Sequence, residues 1–377
     1  MADLRENKAK EPLMHITKRA YMKPAVALAI RITAIVIAFL LSGVVSMLFI
    51  EKIRTNPGRI LELFECFITG CFGTVDLVWK YFKNVSLLLI IALALTPAFK
   101  MHFWNIGAEG QVLVGALGSI AISFYMGASG LPNWLILILM LIVGCLSSII
   151  WAVIPAIFKS VWNTNETLFT LMMNYIATYI VNYVLFEWVP TGNALGIVNG
   201  STHIGWLPAV FNEYFFIIVS VLIITVILYA YLKYSKHGYE LSVVGESENT
   251  ARYIGINVKK VVLRTMVFSG LLCGIAGFLI ASGNDHSITT ESVGGRGFTA
   301  ILVTWLANFN PFVMMITSAF VVFLETGAKE ISTIFDVSTT LPKVIVGIVL
   351  FFFIASEFFI KYQIHFRKKK SNETEGK

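Results

Sequence analysis

Apolar residues gather into runs of spanning or near-spanning length, over roughly 24–50, 84–99, 110–127, 133–158, 166–187, 214–234, 264–283, 298–309, 311–327 and 341–360, about ten in all. The third, eighth and ninth are short or interrupted by Gly or Pro. The longest polar insert between them covers residues 236–260 and is bracketed by Lys233, Lys236, Lys259, Lys260 and Arg264. Within it Ser247 reads as an N-cap and Gly255 as the residue just past a helix end. About two turns fit between them, and so short a helix needs something to pack against. The insert is therefore expected to be a docking surface, on the side of the membrane that its basic edges select.

Three basic clusters set the orientation: Arg5, Lys8, Lys10, Lys18, Arg19 and Lys23; the Lys233 to Arg264 region; and Lys361 with Arg367, Lys368, Lys369 and Lys370. All three favour the cytoplasm, which six crossings before the insert and four after it satisfy. Glu62, Glu65 and Asp76 break up the fairly apolar stretch 60–82, which reads as an amphipathic helix at the interface. The expected organisation is a basic tail (1–23), a first membrane block (24–234), a coupling segment (235–263), a second block (264–360) and a tail (361–377). The first apolar run is too long for a cleavable signal core and is expected to stay in the membrane. The loop 190–213, with Pro190, Gly192, Gly196, Gly200 and Pro208 but no Lys or Arg, fits an external surface that receives a partner.

Two Gly-rich interruptions stand in corresponding places. One is Trp104-Asn105-Ile106-Gly107-Ala108-Glu109-Gly110-Gln111; the other runs through 282–292 into Val293-Gly294-Gly295-Arg296-Gly297-Phe298. The topology puts the first on the inner side and the second on the outer side, as in an inverted repeat, and paired broken segments of this kind point to a transport site. The expected fold is thus an all-α polytopic membrane protein of about ten transmembrane helices in two inverted-topology halves.

Composition agrees with this and narrows the chemistry. Of 377 residues 57% are hydrophobic and 14% charged, too little charge to cover a soluble surface. The net charge of +7 follows the ends of apolar runs, so it does not imply nucleic acid. Cys66, Cys71, Cys145 and Cys273 form no CxxC pair, and they read as buried thiols, with a Cys66–Cys71 disulfide as the alternative. The six histidines show no metal spacing, and there is no GxxxxGK[ST] loop, so any ATP must be hydrolysed by another chain.

The fifth run carries Glu166, Thr170, Asn174, Thr178 and Asn182, every fourth residue, with Tyr175, Tyr179 and Tyr183 alongside. Amides and hydroxyls at membrane depth face protein or water. They either hydrogen-bond between helices or form a polar wall of a path, with the tyrosines touching a ring-shaped solute. Asn163-Thr164-Asn165-Glu166 also reads as a capping box. Glu109, beside glycines at a bend, either has a role in the path or accepts from loop amides. Arg31 is expected to snorkel, and Glu357 to pair with Lys361. No hydrolytic triad, paired acid/base site or proton relay is present.

Gly238-Tyr239-Glu240-Leu241, Val244-Gly245-Glu246, Ala251, Gly255-Ile256 and Ser269-Gly270 through Gly274-Ile275-Ala276-Gly277 resemble the cytoplasmic loop and following helix of ABC-importer permeases for simple sugars and nucleosides. The 105–111 bend, and Asn165-Glu166 followed by Met173-Asn174-Tyr175-Ile176, are similar to the nucleoside-type branch, over about residues 84–350. Thr250 stands where the family often has Ala. The Gly294–Gly297 turn leads through Phe298 into Thr299-Ala300-Ile301 rather than a more acidic version, which leaves simple sugars or a flavin open as solutes. The resemblance implies a bacterial inner-membrane permease with both termini cytoplasmic. It pairs with a homologous permease or with itself, sits on ABC ATPase subunits and receives solute from an extracytoplasmic lipoprotein. Asn105, Glu109, Gln111, Thr170, Asn174, Tyr175, Thr178 and Asn182 are expected on the path. Gly245, Glu246, Ser247, Ala251, Arg252 and Gly255 are expected at the ATPase. No catalytic residue, metal or cofactor is expected in this chain. The rivals are an ion-coupled secondary carrier and a membrane-embedded enzyme acting on lipid.

Overall fold

The computed structural model describes residues 14–19, 21–189, 195–338 and 340–366. Arg5, Lys8, Lys10, Pro190, Gly192, the basic cluster 367–370 and the tail 371–377 lie outside the described residues. Strand β1 (Met14–Lys18) leads into α1 (Pro24–Phe49), α2 (Glu51–Thr55) and α3 (Ile60–Phe72). There follow α4 (Val75–Lys100), α5 (Ala108–Met126), α6 (Asn133–Trp162), α7 (Glu166–Trp188) and α8 (Phe215–Tyr234). Then come α9 (Lys236–Glu246), α10 (Glu248–Tyr253), α11 (Val258–Gly283), α12 (Arg296–Leu306), α13 (Pro311–Phe335), α14 (Thr340–Lys361) and strand β2 (Tyr362–Phe366).

Among the described residues nine helices are long and apolar enough to cross a membrane. The eighth expected run is α12, whose 11 residues rise only about 16 Å, short of a bilayer core. The 60–82 segment is not one helix. It breaks at Gly73 and Thr74, where a Cβ on Gly73 would lie 2.5 Å from the Thr69 carbonyl oxygen and Thr74 caps α4 by accepting from Leu77 N at 3.3 Å. Residues 75–82 therefore belong to α4, and the second run starts nine residues earlier than hydropathy suggests, because Asp76, Lys80 and Lys83 depress its apparent apolarity.

The chain forms two compact units. In the unit of residues 1–66 and 328–377, α1 packs on α14 and β1 pairs antiparallel with β2, Met14 opposite Phe366 and Lys18 opposite Tyr362. Both ends of this helix pair thus emerge on one side. Arg31 does not simply snorkel: its Nε donates to Glu357 Oε1 at 2.8 Å, so Glu357, expected to serve Lys361, answers a charge on the facing helix instead. A cation in an apolar helix pair is expensive unless paired.

In the unit of residues 67–327, α4 is enclosed continuously from Val85 to Phe99. α11 packs on α5 and α6 through its small residues: a Cβ on Gly274 would lie 2.5 Å from the Cys145 Cα. Without a hydrophobic force between helices in lipid, such close backbone approach supplies the packing. All four cysteines are free and buried, so the Cys66–Cys71 disulfide is not formed.

Candidate functional site

The two interruptions meet. Glu109, in the first turn of α5, accepts from Gly295 N at 2.8 Å and from Gly297 N at 2.6 Å, at the start of α12. Those amides have no intrahelical partner, and the positive end of α12 favours a carboxylate there. Arg296 turns aside and its Nη2 donates to Asn84 Oδ1 of α4 at 3.3 Å. α12 then follows α4, Thr304 Oγ1 donating to the Ala92 carbonyl at 3.1 Å. At its far end Trp305 stacks on Trp104 with ring centroids 5.4 Å apart. The first interruption therefore holds α12 at both ends, by Glu109 at the start and Trp104 at the finish.

The bend itself is tied by its own amides. Gln111 Nε2 donates to Asn105 Oδ1 at 3.1 Å, and Asn105 Nδ2 donates back to Gln111 Oε1 at 3.4 Å and to Ser269 Oγ at 3.5 Å. Gly107 N also donates to Asn105 Oδ1, at 3.0 Å. All three side chains are fully or almost fully buried. α7 clamps the bend from the other side. Thr170 Oγ1 accepts from Ile106 N at 3.1 Å, while Asn174 accepts from Gly110 N at 2.8 Å and donates to the Ile106 carbonyl at 2.9 Å.

The stripe on α7 thus divides. Thr170 and Asn174 are committed to the bend, and Thr178 is half-buried and donates to the Asn174 carbonyl at 3.1 Å. Asn182 is exposed, as are Tyr175 (63%), Tyr179 (72%) and Tyr183 (65%), on the opposite flank of the helix. The capping box at 163–166 is not formed. Asn163 closes α6 in the left-handed region, Asn165 caps α7 by accepting from Leu168 N at 3.1 Å, and Glu166 receives Lys159 Nζ at 2.9 Å. A turn of only three residues leaves no room for a cap three positions before Glu166. Asn84, Trp104, Lys159 and Trp305 were not singled out as site residues. Their sequence signal is a polar or amphipathic residue at the edge of an apolar run, which is common to many helix ends.

The polar insert contains two helices, not one. Ser235 caps α9, accepting from Gly238 N at 2.9 Å, and Ser247 caps α10, accepting from Thr250 N at 3.2 Å. Gly255 has φ +86°, as a residue past a helix end requires. Gly245 and Ala251 are buried, Ser247 is half-buried, and Glu246, Arg252 and Gly255 are exposed. Tyr253 projects almost completely, at 93% exposure, and Glu248 and Arg252 pair at 3.1 Å.

The loop before α8 is tied to the chain after α11. Val198 N donates to the His286 carbonyl at 2.8 Å, and Trp206 lies between the His203 and His286 rings at 4.4 and 3.7 Å. Burial pushes the His286 imidazole below its ordinary value and lifts the Asp285 carboxyl, against the pull of Arg296. Among the described residues no group of three or more His, Cys, Asp or Glu could hold a metal ion.

Long apolar helices, with two interrupted segments meeting in the unit of residues 67–327, define a polytopic membrane protein. The chain belongs to the family described as branched-chain amino acid transport system / permease component, which matches residues 78–354. It is 26% identical to the guanosine ABC transporter permease NupP of Bacillus subtilis, covering 80% of this chain and 87% of that one. It is 24% identical to the nucleoside ABC transporter permease NupB of Lactococcus lactis, covering 88% and 91%. A glucose ABC transporter permease of Haloferax volcanii is 27% identical, covering 79% and 80%. The permease resemblance drawn from the 105–111 bend and the 238–277 segment is borne out.

Proposed function

We propose that this chain is the membrane subunit of an ATP-driven importer that moves nucleosides across the bacterial cytoplasmic membrane. The observation that carries the reading is the permease family match over 78–354, joined to guanosine and nucleoside permeases among its relatives. A simple sugar is the second reading, favoured by the glucose permease at comparable identity.

In this proposal separate ATPase subunits close on ATP and grip α10 and its flanks through Glu246, Ser247, Arg252 and the turn at Gly255, while Gly245 and Ala251 seat the segment. α9 packs against α4, α8 and α11, so a push on α10 reaches the end of α4, from which the 105–111 bend hangs. Because that bend holds α12 at both ends, the two interrupted segments move together. Asn105, Glu109, Gln111, Thr170 and Asn174 frame the moving bend, while Thr178 continues that side of α7 and Tyr175 and Asn182 present its exposed flank. A second permease chain, homologous or identical, completes the path, and an extracytoplasmic lipoprotein delivers solute. Both termini lie in the cytoplasm, with the loop after α11 and the short α12 together making the tenth crossing. The pairing of β1 with β2, which keeps the α1 and α14 ends on one side, supports this placement. The chain itself needs no cofactor and performs no catalysis.

The test is purification in mild detergent followed by reconstitution with whatever ATPase and receptor co-purify. ATP-dependent uptake of guanosine above that of glucose or riboflavin supports the reading. Uptake by this chain alone, driven by an ion gradient, rejects it.

A further inference from the structure

The buried face of α9 consists of His237, Gly238, Leu241, Val244 and Gly245, so His237 is the polar side chain in an otherwise apolar contact. Both of its nitrogens are engaged, each with a different membrane helix. Nδ1 meets the Tyr231 hydroxyl of α8, and Nε2 lies 3.2 Å from Thr265 Oγ1 of α11. Hydrogen-bond accounting fixes the tautomer. The single Thr265 hydroxyl proton goes to the Val261 carbonyl at 2.7 Å, so Thr265 accepts from Nε2–H. In the neutral ring, which burial favours, Nδ1 is then the acceptor for the Tyr231 O–H.

The surroundings resist any slack at this point. One residue, Ser235, separates α8 from α9, and one residue, Ser247, separates α9 from α10. A Cβ on Gly238 would lie 2.4 Å from the Leu232 carbonyl, so α9 cannot slide along the end of α8. Tyr231 is itself held by stacking on Phe268 of α11, with centroids 4.7 Å apart. The charged groups near the imidazole are Glu240 of α9 and Arg264 of α11, which pair with each other at 3.6 Å.

We infer that neutral His237 is the positioning residue that fixes the docking segment to α8 and α11 together, so that displacement of α10 is delivered to two membrane helices at once. An apolar side chain would fill the same space. It would leave the Tyr231 hydroxyl unpaired and would specify no direction, whereas a fully satisfied buried network holds one geometry. The inference rests on the proposed docking of an ATPase at α10.

The joint carries a pH dependence with a defined sign. Burial and Arg264 hold the ring below its ordinary value of 6.5, against the pull of Glu240 and of the Val261 carbonyl. The neutral form is therefore complete above about pH 6.5 and its contribution is lost as pH falls below that value, because there the unfolded or undocked state takes up the proton first.

The test uses the reconstituted complex, with solute uptake and ATP hydrolysis measured in the same vesicles, and amide hydrogen exchange over residues 238–246 measured on the purified chain. Tyr231→Phe removes one oxygen and tests the joint without burying a new group. It should raise exchange and lower solute moved per ATP by roughly three- to tenfold, the span set by one lost hydrogen bond. His237→Phe should do more, and His237→Gln, which can accept and donate, should restore most of the coupling. Wild-type coupling should decline from pH 7.5 to 5.5, while His237→Gln stays flat. Unchanged exchange and unchanged coupling in Tyr231→Phe overturn the inference. Raised exchange in a chain that recruits no ATPase leaves the joint standing and rejects the proposed function instead.

Discussion

Glu109 shows what a single carboxylate does in this fold. Two amides at the start of α12 point at it, and it has two oxygens to answer them. Glu109→Gln keeps one acceptor, removes the charge and turns a donor toward an amide. The expected cost is about 1.5–3 kcal/mol, the value of a hydrogen bond to a charged group, read as a lower unfolding temperature in detergent. Uptake should fall further than stability does, since α12 loses its anchor. That the residue is costly and has a partner is legible in the sequence, because a carboxylate among glycines in an apolar region demands one. Which amides answer it is not, since they lie 186 and 188 residues away, beyond six intervening helices and in a loop without periodicity. Gly245 and Gly255 make a second contrast at this scale. A Cβ at Gly245 would lie 2.2 Å from the Lys100 carbonyl oxygen, whereas Gly255 has open space and only φ +86° to recommend glycine. Gly245→Ala should thus cost about 1–3 kcal/mol through overpacking. Gly255→Ala should cost about 1–2 kcal/mol through left-handed strain alone. Thermal unfolding of the two variants checks the order.

At the scale of elements the outcome depends on which signal each helix carries. Apolar runs locate the long helices because lipid leaves the backbone no other partner, but the signal fails at the start of α4, where Asp76, Lys80 and Lys83 hide the helix until residue 84. The stripe on α7 was legible as a stripe but not as a direction. Period four says that Thr170 and Asn174 share a flank; only the 105–111 bend packed against that flank says what they hold. Asn174→Leu illustrates the difference. It deprives Gly110 N and the Ile106 carbonyl of their partner, so uptake should drop together with stability, by about 2–4 kcal/mol for two buried backbone groups left unpaired. Asn182→Leu, on the exposed flank, should leave the unfolding temperature nearly unchanged. If Asn174→Leu abolished uptake at full stability, the residue would be facing solute rather than clamping the bend. α9 was missed for a different reason. Gly238, Ser242 and Gly245 depress helix propensity, and its short buried face becomes favourable only against α4, α8 and α11.

For the whole molecule the decisive question is whether α10 is held by something outside the chain, and the structure makes that separable from folding. Ala251 anchors the helix inward, while Glu248, Asn249, Arg252, Tyr253 and Ile254 all face out. An isolated helix of six residues presenting a large aromatic ring and an exposed ion pair gains little for its own fold. Surface substitutions there should shift stability by no more than about 0.5 kcal/mol. If a partner grips this surface, the same substitutions should be severe for function, since interface energy concentrates in aromatic and arginine anchors. Tyr253→Ala combined with Arg252→Glu is therefore expected to leave thermal unfolding unchanged, to release the co-purifying ATPase and to cut uptake at least tenfold. Glu246→Lys, at the end of α9 where the proposed grip begins, should weaken ATPase retention only in part and lose the coupling between hydrolysis and uptake. A double variant that keeps both the ATPase and full uptake places the docking contact elsewhere. With α10 then carrying no load, the route from α9 to the end of α4 would have nothing to transmit.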